Sequence, residues 1–164
     1  METGIVDGFD AFYAGNFRRL TAQLYAYCGD MGEAQDAVQE AFCRALARWS
    51  RLSAYDDPVA WVRRVAWNLV TSRWRRRVTA TRHAQGQRVD ETPEPSPDRV
   101  TLIRALSAIA PDHRRAVVLY YLGDLTVGEI ARQDEVAEGT VRSWLHRGRA
   151  ALAEQLSDLA EGTI

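Results

Sequence analysis

Five residues on one stripe of a predicted helix carry the side chains needed to hold an unpaired nucleobase. At about 100° per residue, Arg64, Trp67, Asn68, Thr71 and Arg75 fall on one side of a helix. An aromatic ring there can stack on a base, the Asn amide can bond the base edge, and the guanidinium groups can hold the flanking phosphates. Arg73, Arg76 and Arg77 add charge for a phosphate backbone. The formal net charge of −1 conceals this block, because residues 61–89 carry eight Arg and no acid while residues 90–98 hold four acids and no base. All 21 basic residues are Arg, whose planar forks suit phosphates and base edges, although a GC-rich genome produces the same bias. The competing reading of this stripe is a solvated basic helix end with Trp67 and Trp74 packed on a neighbouring domain surface.

Two further constellations stand out. Glu33, Asp36, Gln39, Glu40 and Cys43 gather opposite the apolar stripe of an earlier helix, which reads as a solvated face or as a surface docking a basic protein. Near the carboxy terminus, Arg142, Ser143, His146 and Arg147 point away from the inner stripe of the last helix, with Arg149 at its edge. A recognition helix presents such groups to a major groove: Arg takes guanine bidentately, and Ser or His suits a phosphate or a single base-edge bond. The competing reading is a helical hairpin of a purely structural bundle.

Catalytic chemistry finds no support. The sequence has no Gly-rich phosphate loop, no His/Cys/carboxylate cluster at metal spacing and no Gly-x-Ser-x-Gly nucleophile motif, so neither a cofactor nor a metal is expected. Cys28 and Cys43 read as reduced thiols, with His83, His113 and His146 distant from both. The longest apolar stretch, Ala116 to Leu122, is too short to span a bilayer, and the amino terminus lacks a secretion-signal layout, so a cytoplasmic protein without membrane insertion is expected.

The elements that must position these residues are all helical. Phe9, Tyr13, Phe17, Leu20, Leu24 and Tyr27 predict a first helix ending near Gly29, and Ala34, Val38, Ala41, Phe42, Ala45 and Trp49 a second over about 32–49. Residues 50–58 read as a loop. A third helix over 59–78 buries Val59, Val62, Ala66, Leu69 and Val70. Pro93, Pro95 and Pro97 among acidic and small polar residues mark a flexible linker over 79–98, separating two small helical domains at 1–78 and 99–164. Fully extended, it reaches roughly 65 Å at about 3.3 Å per residue, enough for two DNA-touching domains to sit nearly two helical turns apart. In the second domain, Thr126 and Glu129 have capping-box spacing, and a last helix starts near Glu138 with Val141, Leu145, Gly148 and Leu152 inside, giving helix-turn-helix geometry.

Three segments, in this order, resemble the sigma-70 superfamily of RNA polymerase sigma factors, in the compact extracytoplasmic-function class and closest to its actinobacterial SigE-like group. They are Glu33 to Phe42, Trp61 to Leu69 with Ser72 to Arg77, and Leu125 to Ala131 with Gly139 to Arg149. The resemblance covers roughly residues 9–160. It implies a region 2 domain that binds the polymerase clamp and the promoter −10 element, and a region 4 domain that binds the −35 element and the polymerase flap. It implies that Asp36, Gln39 and Glu40, with Glu33 beside them, face the basic clamp helices. Asn68 and its neighbours, with the loop 51–57, would then capture a flipped base of the melted −10 strand, and Thr140, Arg142, Ser143, His146, Arg147 and Arg149 would meet the −35 duplex. The partners implied are core RNA polymerase, promoter DNA and, on the same surfaces, an anti-sigma factor. The protein itself would be no enzyme.

Several positions depart from the family pattern. Ser72 replaces a common Asp, Trp144 a frequent Arg, and Ala137 a capping Ser or Pro. Asp134-Glu135 stands where a buried Leu followed by Gly is usual. A buried Asp134 is costly, so a reshaped or more exposed turn is expected. Two rival functions remain open at this point: a helix-turn-helix regulator that binds duplex without polymerase, and a sigma-like decoy that occupies polymerase without initiating.

Overall fold

Helix punctuation explains most element boundaries. The structure, a computed structural model, describes residues 3–80 and 96–162, within which there is no strand. Helix α1 spans Thr3–Cys28 and stops at Gly29, whose φ of 73° places it in the left-handed region. Asp30 then caps α2 (Met31–Ala47), its carboxylate accepting from the Glu33 N–H at 3.0 Å. A short α3 (Trp49–Leu52) occupies part of the segment expected to be loop, because Trp49 and Leu52 are buried and anchor it. Asp57 accepts from the Ala60 N–H at 3.1 Å, and Pro58 opens α4 (Pro58–Ala80).

The chain divides into two compact units. One takes the chain up to Leu24 and from Asp30 through α4, and the other takes Tyr25–Gly29 with the remaining helices. In the first unit, Ala34, Ala37, Ala41 and Ala45 give α2 a narrow inner face, which lets α4 approach with Val62, Ala66, Trp67 and Val70. Phe42 is the aromatic hub, with edge contacts to Phe9, Phe12 and Tyr13 at ring separations of 6.3, 5.6 and 5.0 Å.

The second unit begins with α5 (Pro97–Ser107), capped by Ser96 with Pro97 in the first turn. Pro97 and Asp98, expected in the linker, therefore start a helix, because proline's fixed φ and missing N–H suit that position. Thr79 and Ala80, also expected in the linker, end α4, and residues 81–95 lie outside the described residues. Helices α6 (Pro111–Tyr121), α7 (Val127–Asp134) and α8 (Glu138–Glu161) follow, packed around Leu106, Ile109, Val117, Leu119, Ile130, Val141 and Leu145. Arg114 is buried at the α5–α6 junction, where its guanidinium donates to the carbonyls of Ser107 at 3.3 Å and Ile109 at 3.0 Å. The capping box at α7 is complete: the Glu129 N–H donates to Thr126 Oγ1 at 3.1 Å, and the Thr126 N–H to Glu129 Oε2 at 2.8 Å.

The turn between α7 and α8 corrects the expectation drawn from Asp134-Glu135. Asp134 is not turned outward: its side chain is 6% exposed and meets Arg115 Nη2 of α6 at 2.6 Å. Burial pushes its carboxyl above the ordinary carboxylate range, and the Arg115 guanidinium only partly opposes this. Glu135 keeps the left-handed conformation that glycine would take, with φ 56° and ψ 44°, and the Val136 N–H donates back to the Ala131 carbonyl at 3.0 Å. The turn thus closes through a left-handed residue, with Asp134 held inside by an ion pair and Glu135 in the strained position. Glu135→Gly is expected to stabilise the second unit by up to about 1 kcal/mol, since relief of left-handed strain exceeds the added chain entropy. An unchanged or lower denaturation midpoint would contradict this.

Candidate functional site

The acidic face of α2 forms one wall of an open cavity of about 480 Å³, lined by Glu33, Asp36, Gln39, Glu40, Cys43 and Arg73. The helical repeat brings the first five to one side, and α4 supplies Arg73 across the packed interface. Asp36, Gln39 and Cys43 are exposed, Glu33 and Glu40 half-buried. Two contacts here were not legible in the sequence. Tyr13 of α1 donates its hydroxyl to Gln39 Oε1 at 2.9 Å, fixing that amide. Arg73 donates to Glu40 Oε2, while Arg44 takes Oε1 at 2.7 Å. The Arg44 pair follows i,i+4 spacing, whereas Arg73 lies 33 residues away and only packing joins it to Glu40.

The basic face of α4 is only partly as expected. Arg64, Asn68, Arg75 and Arg76 are exposed, and Thr71 is half-buried with its hydroxyl turned to the Trp67 carbonyl at 2.8 Å. Trp67 does not belong with them. It is 0% exposed and is the bulkiest fully buried side chain among the described residues. A ring in the core cannot stack on an incoming base, so this expectation is corrected in favour of the packing alternative, although within its own unit. Arg73, likewise expected on DNA, points to Glu40. The side chains of Trp74 and Arg77 lie outside the described residues.

On α8, Val141, Leu145 and Gly148 face the core, and Arg142, Ser143, His146, Arg147 and Arg149 are exposed. Thr140 sits half-buried in the first turn, its N–H donating to the Ala137 carbonyl at 3.0 Å. Glu138 holds Arg142 at 3.1 Å, and Tyr121 holds Arg149 at 3.2 Å. Glu138 was findable from its i,i+4 spacing to Arg142, whereas nothing in the sequence pointed to Tyr121. Helices α7 and α8 are joined by the three residues Glu135, Val136 and Ala137, and the exposed basic side chains Arg142, Arg147 and Arg149 all stand on α8.

Cys28 is half-buried and Cys43 exposed, both as free thiols. Among the described residues, no three His, Cys, Asp or Glu side chains are grouped to hold a metal ion, and no helix is long and apolar enough to cross a membrane.

Comparison with known proteins matches the two units separately. Residues 12–79 match Sigma-70 region 2, and residues 99–152 match Sigma-70 region 4. The chain belongs to the sigma-70 family of RNA polymerase sigma factors. It is 35% identical over 130 residues to the RNA polymerase sigma-E factor of Streptomyces antibioticus, covering 77% of this chain and 72% of that one. It is 30% identical over 173 residues to the ECF RNA polymerase sigma factor SigL of Mycobacterium tuberculosis, covering 94% and 96%. Among solved structures, the fold resembles the sigma factor RpoE of Bartonella quintana, determined in complex with the anti-sigma factor NepR, with a TM-score of 0.77 at 23% identity and coverage of 92% and 97%. It also resembles CnrH in complex with the cytosolic domain of CnrY, with a TM-score of 0.65 at 20% identity and coverage of 92% and 88%. This sigma factor therefore carries an acidic α2 surface and a basic α4 surface in its region 2, and a basic face on α8 in its region 4.

Proposed function

We propose that this sigma factor docks on the clamp of core RNA polymerase through Glu33, Asp36, Gln39 and Glu40, and reads promoter DNA with its two units. Asn68, flanked by Arg64, Thr71, Arg75 and Arg76, takes an unpaired base of the melted −10 strand. Thr140, Arg142, Ser143, His146, Arg147 and Arg149 meet the −35 duplex in its major groove. Melting then needs no covalent step, since binding energy spent on unpaired bases stabilises the open duplex, and the protein is not an enzyme. The work is done in the cytoplasm beside polymerase. The observation that carries this reading is that one folded unit sorts its charges: an acidic α2 surface suits a basic protein helix, and the exposed Arg and Asn of α4 suit a nucleic-acid strand. Because RpoE, whose fold this chain shares, was captured with the anti-sigma factor NepR, an anti-sigma factor competing for the same surfaces is part of the proposal.

Run-off transcription with core polymerase from a GC-rich actinobacterium on genomic DNA tests the reading. New discrete transcript starts sharing two upstream motifs are expected. Core binding without new starts would instead indicate a decoy, and duplex binding without core binding a helix-turn-helix regulator. Asp36→Arg is expected to weaken core binding about tenfold or more, because it places a cation against a cationic surface; unchanged affinity in a titration would remove Asp36 from the interface. Arg142→Ala is expected to weaken −35 recognition by about 1–3 kcal/mol and so to lower transcription only at promoters that need the −35 element. Equal losses with and without that element would remove Arg142 from −35 recognition.

A further inference from the structure

Glu40 and Arg73 stand on the two surfaces just assigned to different macromolecules, yet they are bonded to each other. Glu40 has two carboxylate oxygens, and both are occupied: Arg44 Nη2 holds Oε1 at 2.7 Å and Arg73 Nη2 holds Oε2. Arg44 lies one turn further along the same helix and follows Glu40 wherever it goes. Arg73 comes from α4, in the middle of the basic stretch, where Arg75 and Arg76 are exposed while the head of Arg73 lies in the acidic cavity.

The pair is placed to exchange partners. Its side chains retain 31% and 36% exposure, so water screens the bond and reaches both groups. A buried pair could not be opened without stranding a charge, whereas here an incoming guanidinium or ammonium can replace Arg73 on the carboxylate with the charge pairing preserved. The released Arg73 then has a phosphate as its natural anion, beside Arg75 and Arg76.

Resting on the reading that α2 meets polymerase and α4 meets DNA, we propose that Glu40 holds Arg73 off nucleic acid in the isolated chain and yields it to a backbone phosphate when a cationic polymerase surface takes Glu40. Arg73 is then a positioning residue that couples the two binding events. By linkage the coupling is reciprocal: a phosphate on Arg73 frees Glu40 for polymerase to the same degree. A screened pair of this kind supports a two- to fivefold effect, on the order of 0.4–1 kcal/mol.

The test uses the full chain and a fluorescently labelled random-sequence single-stranded DNA, titrated over a salt series, with thermal melts to show that every variant is folded. Glu40→Gln should bind two- to fivefold tighter than wild type. Its plot of log affinity against log salt should steepen by about 0.7, the increment for one added phosphate contact on a single strand. Glu40→Gln/Arg73→Gln should lose both gains. Asp10→Asn makes the same charge change in the same unit at an exposed residue outside the cavity that holds Arg73, and should leave the slope unchanged. A Glu40→Gln gain that matches Asp10→Asn, or that survives in the double variant, overturns the coupling. If those results accompany normal core-dependent transcript starts, the promoter reading stands and only the coupling fails. Absence of single-stranded binding by every variant, together with absence of core-dependent starts, overturns both.

Discussion

Trp67→Ala is expected to destabilise the first unit by about 3–5 kcal/mol, because it empties the volume of the bulkiest buried side chain in a core too closely packed to collapse around the gap. The neighbouring positions allow little repacking: α2 presents mostly alanines to α4, and Val62, Ala66 and Val70 are already fully or almost fully buried. A loss of this size consumes a large part of the stability of a domain of this length. Trp67→Leu keeps an apolar side chain without the ring and should lose less than alanine does. It also separates the core role from a base-stacking role, since removing a stacking ring lowers single-strand affinity by about 1–3 kcal/mol per base. Folded Trp67→Leu is expected to bind single-stranded DNA as wild type does, with a lower denaturation midpoint. A wild-type midpoint with weakened DNA binding would return Trp67 to the interface.

Trp67 also marks where sequence reading stops. The 3.6-residue period located every long helix, and the Thr126/Glu129 box located the start of α7, because these are local rules acting within one or two turns. On α4 the period was ambiguous, as apolar residues occupy more than half the circumference. Choosing Val59 and Leu69 for the inner side left Trp67 outside, whereas packing against the small residues of α2 rotates the buried stripe towards Trp67 and leaves Val59 and Leu69 half-buried. The polar pairs that cross between helices were equally hidden. Tyr13 with Gln39, Arg73 with Glu40 and Arg115 with Asp134 join residues whose separation follows no helical repeat, so only the fold brings them together. Asp134 shows the consequence: the sequence exposed a conflict with a buried turn position, and its resolution lay nineteen residues upstream in Arg115.

Gly148→Val is expected to destabilise the second unit by about 3 kcal/mol and to disable it selectively. Gly148 lies on the inner face of α8 where that helix touches α6, and a Cβ there would lie 2.6 Å from Val117 Cγ2 and 3.0 Å from the His113 carbonyl oxygen. The valine methyl can turn aside at some loss, but the carbonyl belongs to helix backbone, so the two helices must separate. Overpacking of this kind costs roughly 1–3 kcal/mol, and valine adds further methyls at the tightest point. Gly148→Ala meets the same first obstacle but gains about 1 kcal/mol of helix propensity, so a net loss of only about 1 kcal/mol is expected. The function should follow the geometry. Moving α8 off α6 displaces the surface bearing Arg142, Ser143, His146 and Arg147, while α2 and α4 belong to the other unit and keep their packing. Gly148→Val should therefore retain clamp binding through α2 and lose transcription chiefly at promoters that depend on the −35 element. A variant as stable as wild type would show that α6 and α8 are not held at this distance, and equal losses at all promoters would show that the recognition helix is needed for more than −35 contact.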